Sequence, residues 1–424
     1  MRINLAYGKT GLKIDLPPGL EADLFEPRYV PGCANQAGAV VGALRRPFAS
    51  PPLRERVNKD DRVGIIFSDI TRPTPYPIIL PALLGELEHV PDENITLFNA
   101  AGTHRANTCE ELQQMLGADI VERFRIVQND SEDQASHRLA GTTRSGNEIW
   151  LLREFLECGV KILTGFIEPH FFAGFSGGGK AVMPGLALGT TIFRNHSACN
   201  MDDPRVGWGI TRSNPVWEEV QEAAGLAEPT FIVNVTLNRD KEITRVFAGD
   251  FNEAYQAGCE FAHSTAMVPV KRLYDIVISS NSGYPLDLNI YQSVKGMSAA
   301  AQIVRPGGSI IMAADCWDGI PEHGEYGRLL REAANAEELL ARVREDGFAC
   351  QDMWQAQIQA QIRLKARVYF HTKNISDEQL RSCLLEPCAD IAKTVAALRG
   401  KYGPDPAVAV LPEGPQTIPY LVRD

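Results

Sequence analysis

RVGIIFSDITRPTPYPIILPALLGEL, residues 62–87, sets the pattern that decides the fold. Arg62 to Ser68 is a continuous apolar run of the kind that forms a strand buried on both faces of a parallel sheet, and it stops at the polar loop DITRPTP before a helix through IILPALLGEL. Asp69 and Arg72 therefore fall just past the carboxyl end of a strand. The same order recurs at ITLFNA, Ile95 to Ala100, which gives way to AGTHR, with His104 and Arg105, before a helix opened by Thr108 and Glu111 in capping-box spacing. A third run, VKILTGFI, ends at Glu168 and His170. In open α/β sheets the carboxyl edge is where ligands bind. Strand-to-helix loops are polar in any protein, so one of them says little. Three in succession, each delivering ionisable side chains to one edge, point to a site.

The alternation continues outward. A helix from Pro215 to Ala224, the strand TFIVNVTL and a helix from Asn252 to Ser264 follow, and then AMVPVKRL, residues 266–273, reads as a linker because proline and basic residues break the periodicity. The second half restarts with YDIVISS (Tyr274 to Ser280), the loop NSGYPLD, a helix from Asn289 to Ala301 and the strand GSIIMAA, and reaches AVAVLP near the end. INLAY and LKIDL around GKTG predict an opening hairpin with glycines at its turn. The predicted fold is α/β throughout, in two α/β domains, residues 1–267 and residues 273–424, with no internal repeat and no low-complexity tract.

Size and composition agree. A chain of 424 residues is long enough for two domains or more at roughly 150 residues each. Its 44% hydrophobic and 22% charged content is that of an ordinary soluble protein. A formal net charge of −11 argues against a nucleic-acid partner, whose phosphates would call for a basic surface, while leaving room for a local anion pocket. MRINLAYGKTGLKIDL has no apolar core of signal-peptide type, and no window approaches the roughly 18 apolar residues of a membrane span, so no membrane partner is expected and the expected location is cytoplasmic. Nine cysteines without CxxC spacing read as reduced thiols; Cys199, close to His196, reads first as a buried inert one.

The densest chemistry lies between Ile162 and Asn200. Gly174, Gly177, Gly178 and Gly179 lead to Lys180, and Gly174 through Lys180 satisfies G-x-x-x-x-G-K. Position 181 is alanine, so the magnesium-holding hydroxyl of a phosphate loop is missing, and Pro184 with Gly185 would stop the helix that such a loop must feed. What survives is a glycine-rich turn whose backbone N–H groups could face a phosphate or carboxylate. Lys180, flanked by glycines and by AVMPGLAL, reads as partly enclosed; a desolvated lysine can act as a nucleophile or carry a covalent group, although most lysines are solvated. His196 is ambiguous. A lone histidine is more often structural than a ligand, and one protein ligand cannot hold a divalent metal unless a cofactor supplies the rest. His104 and His170, at the ends of two strands, could work as bases on opposite faces of one substrate, with Arg72 as a bidentate carboxylate clamp or merely a surface ion pair. Gln292 and Lys295 share one helix face at i and i+3. Tyr291 and Met297 read as core or cofactor packing, and Trp354 as a core aromatic or the wall of a site.

Taken together, SDITRPTP, AGTHR, GFIEPHFFAGFSGGGKAVMPG, NHS, SNSGYPLDLNIYQSVKGM and Trp354, in this order, resemble the nickel-dependent lactate racemase family. The resemblance implies two α/β domains with the active site in the cleft between them. It also implies a nickel-pincer nucleotide, that is, pyridinium-3-thioamide-5-thiocarboxylic acid mononucleotide holding Ni(II), made by cofactor-synthesis enzymes on which activation depends. Carried over residue by residue, it implies that Lys180 bonds the cofactor covalently, that His196 is the protein ligand to nickel and that His104 and His170 are the two catalytic acid/bases. Arg72, Gln292 and Lys295 would bind substrate; Asp69, Phe172, Gly177, Gly178, Tyr291 and Trp354 would line the cofactor. The implied reaction inverts C2 of a small 2-hydroxy acid, lactate or a relative, by reversible hydride transfer through a 2-keto acid. A non-catalytic carrier of the nucleotide is the alternative. The chain departs from the pattern beside the lysine: where many members have Gly-Arg-Lys-Ser, it has Gly179-Lys180-Ala181, so an arginine and a serine are absent.

Overall fold

Six strands of one sheet run in the order Ile243–Gly249, Phe231–Leu237, Val160–Phe166, Val63–Ser68, Ile95–Ala100, Arg125–Gln128 in a computed structural model that describes residues 1–422. All neighbours are parallel except the antiparallel pair Phe231–Leu237 and Ile243–Gly249. The central strands are buried on both faces, as their unbroken apolar sequences require: Ile65 pairs in register with Leu97 on one side and Ile162 on the other. Their side chains form one core with Leu80 and Leu83 of the Tyr76–Glu86 helix. Each such fully buried side chain contributes about 1.5–3 kcal/mol, so this core fixes the sheet and, with it, the positions of the strand ends. The Cys109–Leu116 helix opens with the expected capping box, Thr108 and Glu111 each accepting the other's backbone N–H.

A second sheet runs in the order Glu386–Pro387, Ala366–His371, Val304–Ala313, Tyr274–Ser280, Val408–Leu411, Asp23–Leu24, all parallel. The opening hairpin is present, Arg2–Leu5 antiparallel to Leu12–Asp15, and Ile3, Leu5 and Ile14 pack into the core beneath this second sheet.

The chain thus forms two α/β units, but not by one cut. One contains Tyr29–His196 and Pro204–Thr265; the other contains Met1–Arg28, Ser197–Asp203 and the described residues from Ala266 onward. This differs from domains of 1–267 and 273–424 in three places. Met1–Arg28 joins the later unit because its hairpin completes that unit's core and Asp23–Leu24 extends its sheet. Ser197–Asp203 joins it through polar contacts to the Met353–Lys365 helix, where Gln357 Nε2 donates to Ala198 O at 3.0 Å and to Asp202 Oδ1 at 2.9 Å. The expected linker is itself partly a strand: Met267–Val270 pairs in parallel with Ile418–Leu421, close to the other end of the chain. Among the described residues no helix is long and apolar enough to cross a membrane, and all nine cysteines are free thiols, with Cys199 exposed and not buried as its sequence reading expects.

Candidate active site

The carboxyl edge of the first sheet collects the residues singled out in its loops. Asp69 follows the Val63–Ser68 strand directly and is 4% exposed. Its Oδ1 accepts the Thr71 N–H at 3.0 Å and the Thr71 hydroxyl at 2.6 Å, and its Oδ2 meets His104 Nδ1 in a short hydrogen bond. Burial works to raise this carboxyl; the His104 charge and hydrogen bond, with Arg72 and Thr71, outweigh burial and hold it well below the usual carboxylate range. Both oxygens of Asp69, which the resemblance puts beside the cofactor, are engaged by Thr71 and His104. With its Nδ1–H directed at a carboxylate, the His104 ring leaves Nε2 as the nitrogen able to exchange a proton with a bound group. Arg72 sits in the same loop, its N–H donating to Asp69 O at 3.1 Å.

His170 lies in a small sheet made by Pro169–His170, Ala173–Phe175 and Gly207–Trp208. Its Nδ1 accepts the Ala173 N–H at 3.3 Å and the Phe172 N–H at 3.5 Å, so in the neutral ring the proton resides on Nε2. The tight return that brings these amides to the ring requires Gly174: its φ is +73°, and a Cβ there would stand 2.3 Å from Ile210 O.

Phe172 ties the remaining residues together. Its ring is edge-on to His170 at 4.5 Å and to His196 at 4.9 Å, and Lys180 Nζ stands 5.2 Å from its centroid. His196 is 3% exposed; burial, and then the charge of Lys180, push its pKa well below the ordinary imidazole value, so it is a neutral nitrogen donor. Lys180 lies half-buried in a short 3-10 turn, Gly178–Ala181, rather than at the start of a long helix, which agrees with discarding a phosphate loop.

The glycines before it are demanded by packing. A Cβ on Gly177 would stand 2.6 Å from Asn234 Oδ1 and one on Gly178 2.6 Å from the Tyr255 ring, while the Gly178 N–H is already bound to Asn234 Oδ1 at 2.8 Å. Gly178 therefore supplies close approach rather than a donor for an anion. At Gly179, where the family pattern would put an arginine, a Cβ would meet Gln221 Nε2, Ala224 and Val220 O at 3.0–3.1 Å, because the Pro215–Leu226 helix packs against this turn.

The second unit holds the other candidates. Tyr291, Gln292 and Lys295 lie on the Ile290–Ala301 helix, capped by Asn289, whose Oδ1 accepts the Gln292 N–H at 3.0 Å. Gln292 and Lys295 are 8% and 9% exposed, and Gln292 Oε1 is buried without a hydrogen-bond partner among the described residues, an acceptor open to a donor. Trp354 is buried on the Met353–Lys365 helix, tied to the first by Gln355 Nε2 donating to Tyr291 O at 2.5 Å. Thr71, bonded to Asp69, and Asn195, bonded to His196, lie within the SDITRPTP and NHS stretches without being singled out there, and Glu219, which reaches His196 only through Asn195, carries no local signal beyond that of an ordinary helix glutamate.

Comparison with known proteins is decisive. Residues 7–209 match the model of the lactate racemase N-terminal domain, and residues 270–418 that of the lactate racemase C-terminal domain. The chain belongs to the lactate racemase family. Lactate racemase of Thermoanaerobacterium thermosaccharolyticum is 34% identical over 427 aligned positions, covering 100% of this chain and 99% of that protein. Lactate racemase of Lactiplantibacillus plantarum is 37% identical over 382 positions, 90% of each. The structure of the lactate racemase apoprotein from the former organism superposes with a TM-score of 0.92 at 33% identity over the whole of both chains. A protein of Thermotoga maritima shares the fold at a TM-score of 0.69 and 17% identity, covering 92% of this chain and all of that one. Membership in the lactate racemase family makes the chain an isomerase, a racemase.

Proposed function

We propose that this racemase inverts C2 of a small 2-hydroxy acid, lactate or a close relative, using a nickel-pincer nucleotide bonded to Lys180 and ligated through His196. The observation that carries the proposal is the placing of Asp69–His104, His170, Lys180 and His196 at one sheet edge, the last three around Phe172. The donor set favours such a group. Among the described residues no three His, Cys, Asp or Glu side chains are placed to hold a metal, so a metal at His196 draws most of its donors from an organic ligand. A nucleotide tethered by Lys180 would supply those donors, with His196 as the protein's own ligand. The chemistry it supplies when bound is reversible uptake of hydride from carbon.

The rest falls to the chain's own residues. Arg72 pairs with the substrate carboxylate through its planar fork. His104 Nε2, with Asp69 behind the ring, accepts the hydroxyl proton as C2 is oxidised to a keto carbon, and the imidazolium so formed is stabilised by the buried carboxylate. His170 faces the oxygen from its own side and donates when the centre is reformed with inverted configuration. For His170 to gain a second proton, Nδ1 must give up two long backbone contacts, a cost of about 1 kcal/mol. Tyr291, Gln292, Lys295 and Trp354 act toward substrate and cofactor in this reading, with Gln292 Oε1 as a ready acceptor. The chain depends on cofactor-synthesis enzymes for activation.

The test is chemical. Produced together with cofactor-synthesis enzymes, the chain is expected to show a mass increase on the Lys180 peptide and about one nickel per chain, both absent in Lys180→Ala. An unmodified Lys180 peptide in an active enzyme would overturn the assignment. Nickel retained by a chain that turns over no 2-hydroxy acid would support the carrier instead.

A further inference from the structure

An imidazole binds a metal through Nε2 only when the ring proton sits on Nδ1, so something must hold it there. His196 Nδ1 lies 2.9 Å from Asn195 Oδ1. An amide can present either end to a ring, and its neighbours decide which. Asn195 Nδ2 donates to Glu219 Oε2 at 2.8 Å and to Val216 O at 3.3 Å, and both of those atoms accept. Turning the amide over would set its oxygen against a carboxylate and a carbonyl. The oxygen therefore faces His196, and the ring must donate from Nδ1.

Glu219 is fixed in turn. It is 7% exposed and has no ion-pair partner among the described residues; its carboxylate accepts the Thr143 hydroxyl at 3.0 Å, the Ser145 hydroxyl, and Asn147 Nδ2 at 3.1 Å in addition to Asn195. Four donors surround it, and Asn147 Nδ2 also bonds Thr191 O at 3.1 Å, within the short helix that ends at His196. A buried carboxylate with no cation is costly unless its hydrogen bonds are complete, and here it orients one amide.

We infer that Asn195 and Glu219 are positioning residues for the nickel ligand, a relay from carboxylate through amide to imidazole that holds His196 as its Nδ1–H tautomer and directs the Nε2 lone pair to the metal. The inference rests on the reading of His196 as that ligand. A purely structural Glu219, tying the 143–147 turn to the 215–226 helix, would leave the tautomer unmoved.

Nitrogen-15 spectra of the full-length apoprotein, labelled at histidine and assigned with His196→Gln, report the tautomer without any cofactor. The wild type is expected to show His196 as Nδ1–H. In Glu219→Gln the neighbour can donate as well as accept, so the Asn195 amide loses its preference and the Nδ1–H to Nε2–H ratio falls about tenfold. Asn195→Ala is expected to lose the preference outright, and gives the answer should Glu219→Gln not fold. In cofactor-loaded protein, both variants are expected to retain nickel about 10- to 100-fold less well against a chelator. An Nε2–H ring in the wild type, or folded variants with unchanged tautomer, would overturn the relay. Tautomers that shift as expected in a protein whose nickel does not depend on His196 would instead overturn the metal reading and leave the relay standing.

Discussion

Replacing Asp69 by asparagine probes the site with the loss of one oxygen. The two donors from Thr71 converge on Oδ1, so the new amide turns its oxygen toward them and its NH2 toward His104 Nδ1. That nitrogen must then accept, the ring proton moves to Nε2, and His104 can no longer take the hydroxyl proton. Restoring the useful tautomer would oppose the amide NH2 to the half-buried Thr71 N–H and forfeit the hydrogen bonds there, about 2–4 kcal/mol in all, or a loss of about 30- to 1,000-fold in kcat. The assay is racemisation of each enantiomer of the 2-hydroxy acid by chiral chromatography, with rates scaled to nickel content so that loading and chemistry are separated. Asp69→Asn running at the wild-type rate for equal nickel would refute the assignment of His104 as the base held by Asp69.

Further outcomes follow from the same geometry. Asp69 is depressed in the folded chain, against about 3.9 when unfolded, so its stabilisation is full above about pH 4 and is lost as pH falls toward the folded value. Thermal midpoints of Asp69→Asn should therefore fall less on acidification than those of the wild type; parallel curves would contradict this. Gly174→Ala combines a φ of +73° with a Cβ 2.3 Å from Ile210 O, and is expected to cost about 2–5 kcal/mol in chemical denaturation. At neutral pH a thiol reagent is expected to modify exposed Cys109 and Cys199 promptly, whereas Cys259 and Cys383, pushed up by burial to about 12 and about 11, react only on unfolding.

The strands whose both faces are buried were legible because an apolar run such as VGIIFS has no other stable place in a soluble α/β chain, and the 108–111 capping box and the opening hairpin were legible because their donors and acceptors are local. What escaped was non-local. Met267–Val270 is a strand by virtue of a partner some 150 residues away, so its own prolines and basic neighbours read as a linker. Ser197–Asp203 leaves its sequence neighbours because glutamines of a distant helix hold it, and no periodicity announces that. Arg125–Gln128, short and incompletely buried at the sheet edge, lacks the apolar run that marked its neighbours. At the site, the sequence placed His104, His170 and Lys180 in loops at strand ends, but it could not choose a partner for Asp69. Nor could it distinguish Glu219, in PVWEEVQEAAG, from a solvent-facing glutamate; burial against Asn195 and Asn147 makes the difference.

Racemisation of a 2-hydroxy acid carrying deuterium at C2, run in ordinary water by the cofactor-loaded enzyme, addresses the central claim most directly. Hydride that leaves and returns within the site is expected to leave deuterium at C2 of the inverted product, with His104 and His170 exchanging only the hydroxyl proton. Product that has lost its deuterium to solvent as fast as it inverts would mean proton abstraction at carbon, and would contradict the account.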